Sequence, residues 1–286
     1  MPVKKDASGR RFVEAQTEVP GTPEEVWRAI ATGPGISSWF VPSRVEERVG
    51  GTASATFGPG MEATATITAW DPPRRFAIES PGEMGGPGSP AVATEWIVES
   101  RAGDTCLVRV VHSWFADTDE WDGQFEGQET GWVCFLRILR IYLAHYRGLP
   151  GAGLQTLSMT GEPVPKAWAN LMNDLGFSDA AEGQHVKSRT TAPPLAGSVE
   201  RVGRPQDPEL LVRLDQPAPG AAHMFAMAMG PQTCVSVRVF FYGDEAALMA
   251  AREDPRWQAW MNDKFPVAGD ADVRGTRDLM SSARDS

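Results

Sequence analysis

Residues 13–60 read VEAQTEVPGTPEEVWRAIATGPGISSWFVPSRVEERVGGTASATFGPG, in which a strand pattern is followed directly by a helix start. Polar and apolar side chains alternate over 11–19, which is the period of a strand. Thr22 is a favourable helix N-cap, and Glu25 three residues later completes a capping box. Because Val26-Trp27 then begins an apolar face, the stretch predicts a strand, a tight turn and an amphipathic helix.

Beyond this helix the chain changes to short strands and turns. A short second helix is predicted to carry Trp39 and Phe40, and Gly50-Gly51 to form a hairpin turn or a bulge. Turn-forming Gly, Pro and Asp residues separate most of five strand candidates, at 52–57, 62–70, 75–80, 92–99 and 105–115. No helix pattern lies between these strands, so we expect them to form an antiparallel sheet.

The alternation of side chains along these strands predicts a solvent-exposed polar face and an apolar face rich in aromatic residues. Glu95 and Glu99 alternate with Trp96, and Arg109 alternates with His112 in the same way. A long helix is predicted to begin around Gly127. Its apolar stripe has the spacing i, i+4, i+7, i+11 and consists of Trp132, Leu136, Leu139 and Leu143.

The run 13–60, together with ITAWDPPRRFAIES at 67–80, resembles the START-like (Bet v 1-like, SRPBCC) superfamily. Within it, the sequence is most similar to the group related to the C-terminal domain of the activator of Hsp90 ATPase. His112-Ser113 and Gly131-Trp132 also fit this resemblance. The resemblance implies an α+β helix-grip fold, in which a curved antiparallel sheet wraps around a long C-terminal helix. Families of this kind commonly hold a hydrophobic ligand between sheet and helix.

The residues themselves also indicate a ligand cavity. Large aromatics share the inward face with alanines at 53, 55, 63, 65 and 69, and small residues opposite a helix leave volume unfilled. The candidate ligand-binding residues are Trp39, Phe40, Phe57, Phe76, Trp96, Val110, His112, Trp114, Trp132, Leu136 and Leu139. Core packing is the alternative interpretation of the aromatics, and a structural role is the alternative for the histidine.

The second half of the chain repeats the order of elements. Gln155 precedes Trp168 by 13 residues, as Glu14 precedes Trp27. Further elements are predicted at 154–160, 165–175, 197–217, 222–229, 233–242 and 245–265. We therefore predict a START-like ligand-binding domain over 11–150 in tandem with a shortened, degenerate START-like domain over 154–266. The second copy lacks the Trp-Phe and Gly-Gly pairs, which argues against a full-sized pocket in it.

Composition and charge exclude several partners and sites. The formal net charge of −10 disfavours nucleic acid as a partner, and no apolar run approaches the ~20 residues of a membrane span. A basic start without a following apolar core is not a signal peptide, so we expect a cytoplasmic protein. The three cysteines predict buried, reduced thiols, and the four histidines lack metal spacing. Neither a metal nor another cofactor is expected.

The preferred function is noncatalytic binding or sequestration of a hydrophobic, aromatic or polycyclic small molecule, in natural-product self-resistance or biosynthesis. The resemblance also implies a sacrificial route, because some START-like proteins similar to this group give bacteria self-resistance to enediyne antibiotics by being consumed by the activated drug. Candidates for this chemistry, or for a lid over the pocket, are Gly82, Gly85, Gly86 and Gly88.

Two alternative functions follow from the same resemblance. One is a co-chaperone that stimulates an Hsp90-type ATPase, which would make a chaperone the partner. The other is a cyclase or dehydratase acting on a polyketide, with His112 as the general base. The second alternative needs another polar group that converges on the same cavity.

Overall fold

The computed structural model describes residues 4–5, 11–57, 62–81, 90–115 and 122–266, with the backbone alone described for 115 and 122–130. The chain divides into two compact units after Ala152. No helix in the described ranges is long and apolar enough to cross a membrane.

Over its described residues, the leading unit is an antiparallel sheet with three helices. Its strands are β1 (Lys4–Lys5), β2 (Arg11–Pro20), β3 (Ser43–Val45), β4 (Thr52–Thr56), β5 (Glu62–Asp71), β6 (Arg75–Ser80), β7 (Ala91–Arg101) and β8 (Thr105–Phe115), and its helices are α1 (Pro23–Ala31), α2 (Gly33–Ser37) and α3 (Asp122–His145). The strand order is β1-β2-β8-β7-β6-β5-β4-β3, so the first long strand pairs with the last one. The long α3 packs along β2. This arrangement is the predicted helix-grip fold.

The turn from β2 into α1 forms as the capping residues predict. The Glu25 amide donates to the Thr22 hydroxyl oxygen at 3.3 Å, and the Thr22 amide donates to the Glu25 carboxylate at 2.9 Å. Arg147, just beyond α3, reaches the same carboxylate at 2.7 Å. The hydrogen bond from the Thr22 backbone is the main reason that the pKa of Glu25 is lowered. The capping box therefore fixes the start of α1 and ties it to the end of α3.

Three local expectations differ from the structure. Trp39 and Phe40 directly follow α2 instead of lying in it. α3 begins at Asp122, earlier than Gly127, because its apolar stripe starts only at Trp132 and the first turns carry no periodic signal. The strand β1 at Lys4–Lys5, which pairs with the beginning of β2, was not predicted from the sequence.

The second unit is a six-stranded sheet with two helices in the described range. Its strands are β9 (Gly151–Thr160), β10 (His185–Lys187), β11 (Ala196–Arg204), β12 (Asp207–Gln216), β13 (Gly220–Met229) and β14 (Gln232–Tyr242), and its helices are α4 (Val164–Leu175) and α5 (Ala246–Lys264). The order β10-β11-β12-β13-β14-β9 again places the first strand beside the last. The strand β10 was not predicted, because three residues carry too little periodic signal.

Candidate functional site

The inner face of the leading sheet is defined by the register of its central strands. Trp96 on β7 lies opposite Phe76 on β6 and Val110 on β8, and Thr94 lies opposite His112. Because alternate residues of a strand point to the same face, these five side chains share one face. The alternation in the sequence predicted this face for Trp96 and His112.

Ring contacts join the inner face of the sheet to α3 and to the segment after α2. The rings of Phe76 and Trp96 stack with their centroids 5.0 Å apart. Trp96 also contacts Trp132 of α3 edge to face, with a centroid distance of 5.8 Å. Trp132 stacks on Phe40 at 5.3 Å. Phe40 also contacts Phe57 at 5.7 Å. The predicted residues Phe40, Phe57, Phe76, Trp96 and Trp132 therefore form one continuous aromatic cluster.

One end of this cluster is open to solvent. Phe40, Phe57 and Trp132 are half-buried, whereas Phe76 is fully buried. The half-buried pair Ala55 and Ala63 lies across β4 and β5 in the same part of the sheet. We call the three half-buried rings Phe40, Phe57 and Trp132 the aromatic rim.

Other predicted ligand-binding residues lie deep in the core. Their exposed fractions do not exceed 1%, and they are Trp39, Val110, Trp114, Leu136 and Leu139. Trp39 also donates its indole N–H to the Ala29 carbonyl oxygen at 2.9 Å, which fixes its orientation inside the fold. Packing alone accounts for residues at this depth, whereas the three rings of the aromatic rim are only half-buried.

His112 is held against the aromatic cluster by a threonine hydroxyl. Its Nδ1 lies 2.8 Å from the Thr94 Oγ1, and its ring centroid lies 6.1 Å from that of Trp132. Burial lowers the pKa of His112 from 6.5 to about 4, so the imidazole is neutral at pH 7. Thr94 was not among the predicted site residues. Its only signal in the sequence was a polar residue two positions before Trp96, on the same apolar face.

Trp96 carries a polar atom that the fold leaves unused. The residue is 5% exposed, and its indole Nε1 is buried with no hydrogen-bond partner among the described residues. Sequence reasoning could place this ring on the inner face, but it could not find the unpaired N–H, because that depends on which acceptors the packing brings near. The ring contact between Phe40 and Phe135, at 4.3 Å, was missed for the same reason.

The four candidate glycines Gly82, Gly85, Gly86 and Gly88 lie outside the described residues. The lid and the sacrificial role therefore stay predictions. Mass spectrometry of the chain after exposure to an activated enediyne would show backbone cleavage at one of these glycines if the sacrificial role is correct.

Comparisons with known proteins agree with the fold of the leading unit. A family model described as "Polyketide cyclase / dehydrase and lipid transport" matches residues 10–136, which confirms the START-like resemblance. No curated protein matches the chain.

Several solved structures are similar to this chain. CalU16 from Micromonospora echinospora is 20% identical, with 50% of this chain and 83% of that chain covered and a TM-score of 0.39. MLL2253 from Mesorhizobium loti is 18% identical, with 47% and 97% covered and a TM-score of 0.42. DynU16, a protein in the dynemicin biosynthetic locus, is 14% identical, with 89% and 95% covered and a TM-score of 0.39.

Proposed function

We propose that the leading unit is a cytoplasmic, noncatalytic binding protein for a hydrophobic small molecule with a planar aromatic or polycyclic skeleton. The observation that carries the proposal is the aromatic rim. Its three rings come from separate parts of the chain, and Phe40 contacts both Phe57 and Trp132. All three stay half-buried, whereas Phe76 and Trp96 of the same cluster are buried.

The energetics of such a site favour a flat, apolar ligand. Burial of apolar surface contributes about 25 cal/mol per Å2, and a well-placed aromatic pair adds about 0.5–1.5 kcal/mol beyond its area. The methyl side chains of Ala55 and Ala63 allow a ring to approach the sheet closely. His112 is neutral at pH 7 because burial lowers its pKa to about 4, so it adds no charge that a hydrocarbon skeleton would have to desolvate.

Titration with small ligands tests this proposal. The probes are fluorene, 9-fluorenone and the linear fatty acid oleate, followed by calorimetry and by the melting temperature. We expect the two tricyclic probes to bind and to raise the melting temperature, and we expect Trp132→Ala and Phe40→Ala to weaken binding about tenfold. The matched control is Val49→Ala, since Val49 is an apolar residue 61% exposed elsewhere in the same unit.

Three results would contradict the proposal. The first is that the wild type binds neither tricyclic probe. The second is that only oleate binds. The third is that Val49→Ala weakens binding as much as the substitutions in the aromatic rim do. The last result would show nonspecific adsorption to exposed apolar side chains.

A cyclase or dehydratase is the second candidate, because the Thr94 hydroxyl orients the imidazole of His112 beside the aromatic cluster. A general base works best with a pKa near the operating pH, and the pKa of about 4 therefore favours a contact role for His112 over a base role. Turnover of a poly-β-keto thioester that is lost in His112→Ala would support the enzyme. Binding without turnover would support the first proposal. The chaperone alternative stays a prediction, and an assay of Hsp90-type ATPase stimulation tests it.

A further inference from the structure

The indole N–H of Trp96 is a buried donor without an acceptor in the described part of the chain. Buried polar groups in proteins are paired in the great majority of cases, because an unpaired donor loses its hydrogen bond to water and gains nothing in return. An exception in the middle of a proposed ligand site therefore needs a physical reason.

Two other buried tryptophans of this chain have a hydrogen-bond acceptor for the indole N–H. Trp39 Nε1 donates to the Ala29 carbonyl oxygen at 2.9 Å, and Trp260 Nε1 donates to the Thr191 carbonyl oxygen at 3.1 Å. Trp96 therefore differs from these residues in its surroundings and not in its degree of burial.

The position of Trp96 connects the unpaired donor to the aromatic rim. One face of its ring stacks on Phe76 at 5.0 Å, and its contact with Trp132 is edge to face at 5.8 Å. Trp132 is half-buried and also contacts His112 at 6.1 Å. The Trp132 ring thus joins the half-buried aromatic rim to the buried ring of Trp96, so a ligand that stacks in the rim would lie beside the tryptophan with the unpaired donor.

We propose that Trp96 is the polar anchor of the site, and that the ligand is a planar aromatic molecule with a carbonyl or quinone oxygen that accepts the indole N–H. The inference rests on the proposed function and narrows its ligand class. An indole N–H donates and never accepts, so it selects an acceptor oxygen and gives no hydrogen bond to a bare hydrocarbon. The ring system stacks in the aromatic rim while the oxygen points to Trp96.

The test uses two probes that share one skeleton, 9-fluorenone with a carbonyl and fluorene without it. Binding of both is measured by calorimetry for the wild type, Trp96→Phe and Trp39→Phe. We expect Trp96→Phe to weaken 9-fluorenone binding about five- to tenfold relative to fluorene, the size of one net hydrogen bond, and Trp39→Phe to leave the ratio of the two affinities unchanged. In 15N-labelled wild type, 9-fluorenone should shift the Trp96 indole resonance downfield, and fluorene should shift it much less.

Folding stability gives an independent readout. Both substitutions remove the same ring volume from a buried position, but only Trp39→Phe breaks a hydrogen bond and leaves the Ala29 carbonyl oxygen without that donor. We therefore expect Trp96→Phe to lower the melting temperature of the ligand-free protein less than Trp39→Phe does.

The outcomes separate this inference from the proposed function. Suppose that both probes bind, but that Trp96→Phe leaves the ratio of their affinities unchanged or that the Trp96 resonance does not respond to 9-fluorenone. The hydrogen bond from Trp96 to the ligand would then be contradicted, and the proposed aromatic binding site would not. If neither probe binds the wild type, the proposed function fails, and the anchor fails with it.

Discussion

The imidazole of His112 makes the stability of the leading unit depend on pH. Burial lowers its pKa from 6.5 to about 4 in the folded chain. The unfolded chain therefore binds this proton more tightly than the folded chain between those two values. The folded protein is therefore most stable, with respect to this group, above about pH 6.5, where His112 is neutral in both states. Its free energy of unfolding decreases as the pH falls from 6.5 towards 4, because the unfolded chain takes up the proton first.

The variant His112→Gln isolates this contribution. A shift from 6.5 to about 4 corresponds to roughly 3 kcal/mol at most, by 1.36 kcal/mol per pKa unit. We expect the free energy of unfolding to fall more steeply between pH 7 and pH 4 in the wild type than in His112→Gln, as measured by urea denaturation. Glu25 also loses stabilisation in acid because its pKa is lowered, but both proteins share that effect. A difference between the two proteins that is independent of pH would contradict the prediction.

Residues whose role depends on neighbours in sequence could be predicted, and those that depend on register could not. Thr22 and Glu25 lie three residues apart, so the hydrogen bonds of their capping box can be predicted from the sequence. The pairing of Thr94 with His112 joins residues 18 apart on two strands, and it follows only from the exact register of β7 and β8. The unpaired N–H of Trp96 needs the positions of all nearby acceptors, which no local pattern contains.

At the scale of elements, the joint between α1 and α2 depends on a glycine. A Cβ on Gly35 would lie 1.9 Å from the Arg28 carbonyl oxygen and 2.8 Å from the Ala29 Cα, and both are backbone atoms of α1. The two helix backbones therefore pack in direct contact. This contact positions Trp39 and Phe40, which follow α2 and lead into the aromatic rim.

We expect Gly35→Ala to lower the free energy of unfolding by about 3 kcal/mol, because overpacking against rigid backbone forces the helices apart. The matched control is Gly131→Ala in α3, where a Cβ would meet nothing within 4 Å. That change should raise the free energy of unfolding by about 0.5–1 kcal/mol, since glycine is unfavourable inside a helix. Chemical denaturation of both variants checks the pair. A Gly35→Ala protein as stable as the wild type would show that α1 and α2 do not pack this closely.

The element boundaries show where periodicity carries information. Strands 75–80 and 105–115 were predicted with the observed bounds, because turn residues flank them on the sequence. The start of α3 was placed too late, since its first turn contains Gly123 and only one large apolar residue, Phe125. Turn-forming residues therefore allow the ends of strands to be predicted closely. The start of a helix whose first turns lack an apolar stripe cannot be predicted in this way.

At the scale of the whole molecule, the two units share one strand order. In each, the first long strand lies beside the last strand, and the intervening strands follow in reverse order across the sheet. We propose that they are two START-like domains, over 11–150 and 154–266, as the repeated element order in the sequence predicted. The shared topology supports this proposal without requiring that both copies bind a ligand.

The second unit differs from the first where the ligand site is concerned. Its β14 buries Val235, Val237 and Val239 completely, and its large aromatic side chains Phe241 and Trp257 are also buried in the core. Its half-buried aromatics Trp168 and Phe225 belong to different elements, and within the described residues no ring contact joins them. An aromatic rim like that of the leading unit is therefore missing from the described part of the second unit.

We accordingly expect one ligand per chain. Calorimetric titration of the full chain with 9-fluorenone should give a single binding site, because among the described residues the half-buried rings of the leading unit contact one another and those of the second unit do not. Hydrogen exchange followed by mass spectrometry should show slower exchange in peptides from β7 and α3 when the ligand is bound, and unchanged exchange in peptides from β12 and β14. Two ligands per chain, or protection that includes β12 and β14, would mean that the degenerate copy has kept a binding site of its own. The aromatic rim would then not be the feature that makes a START-like unit of this chain a receptor.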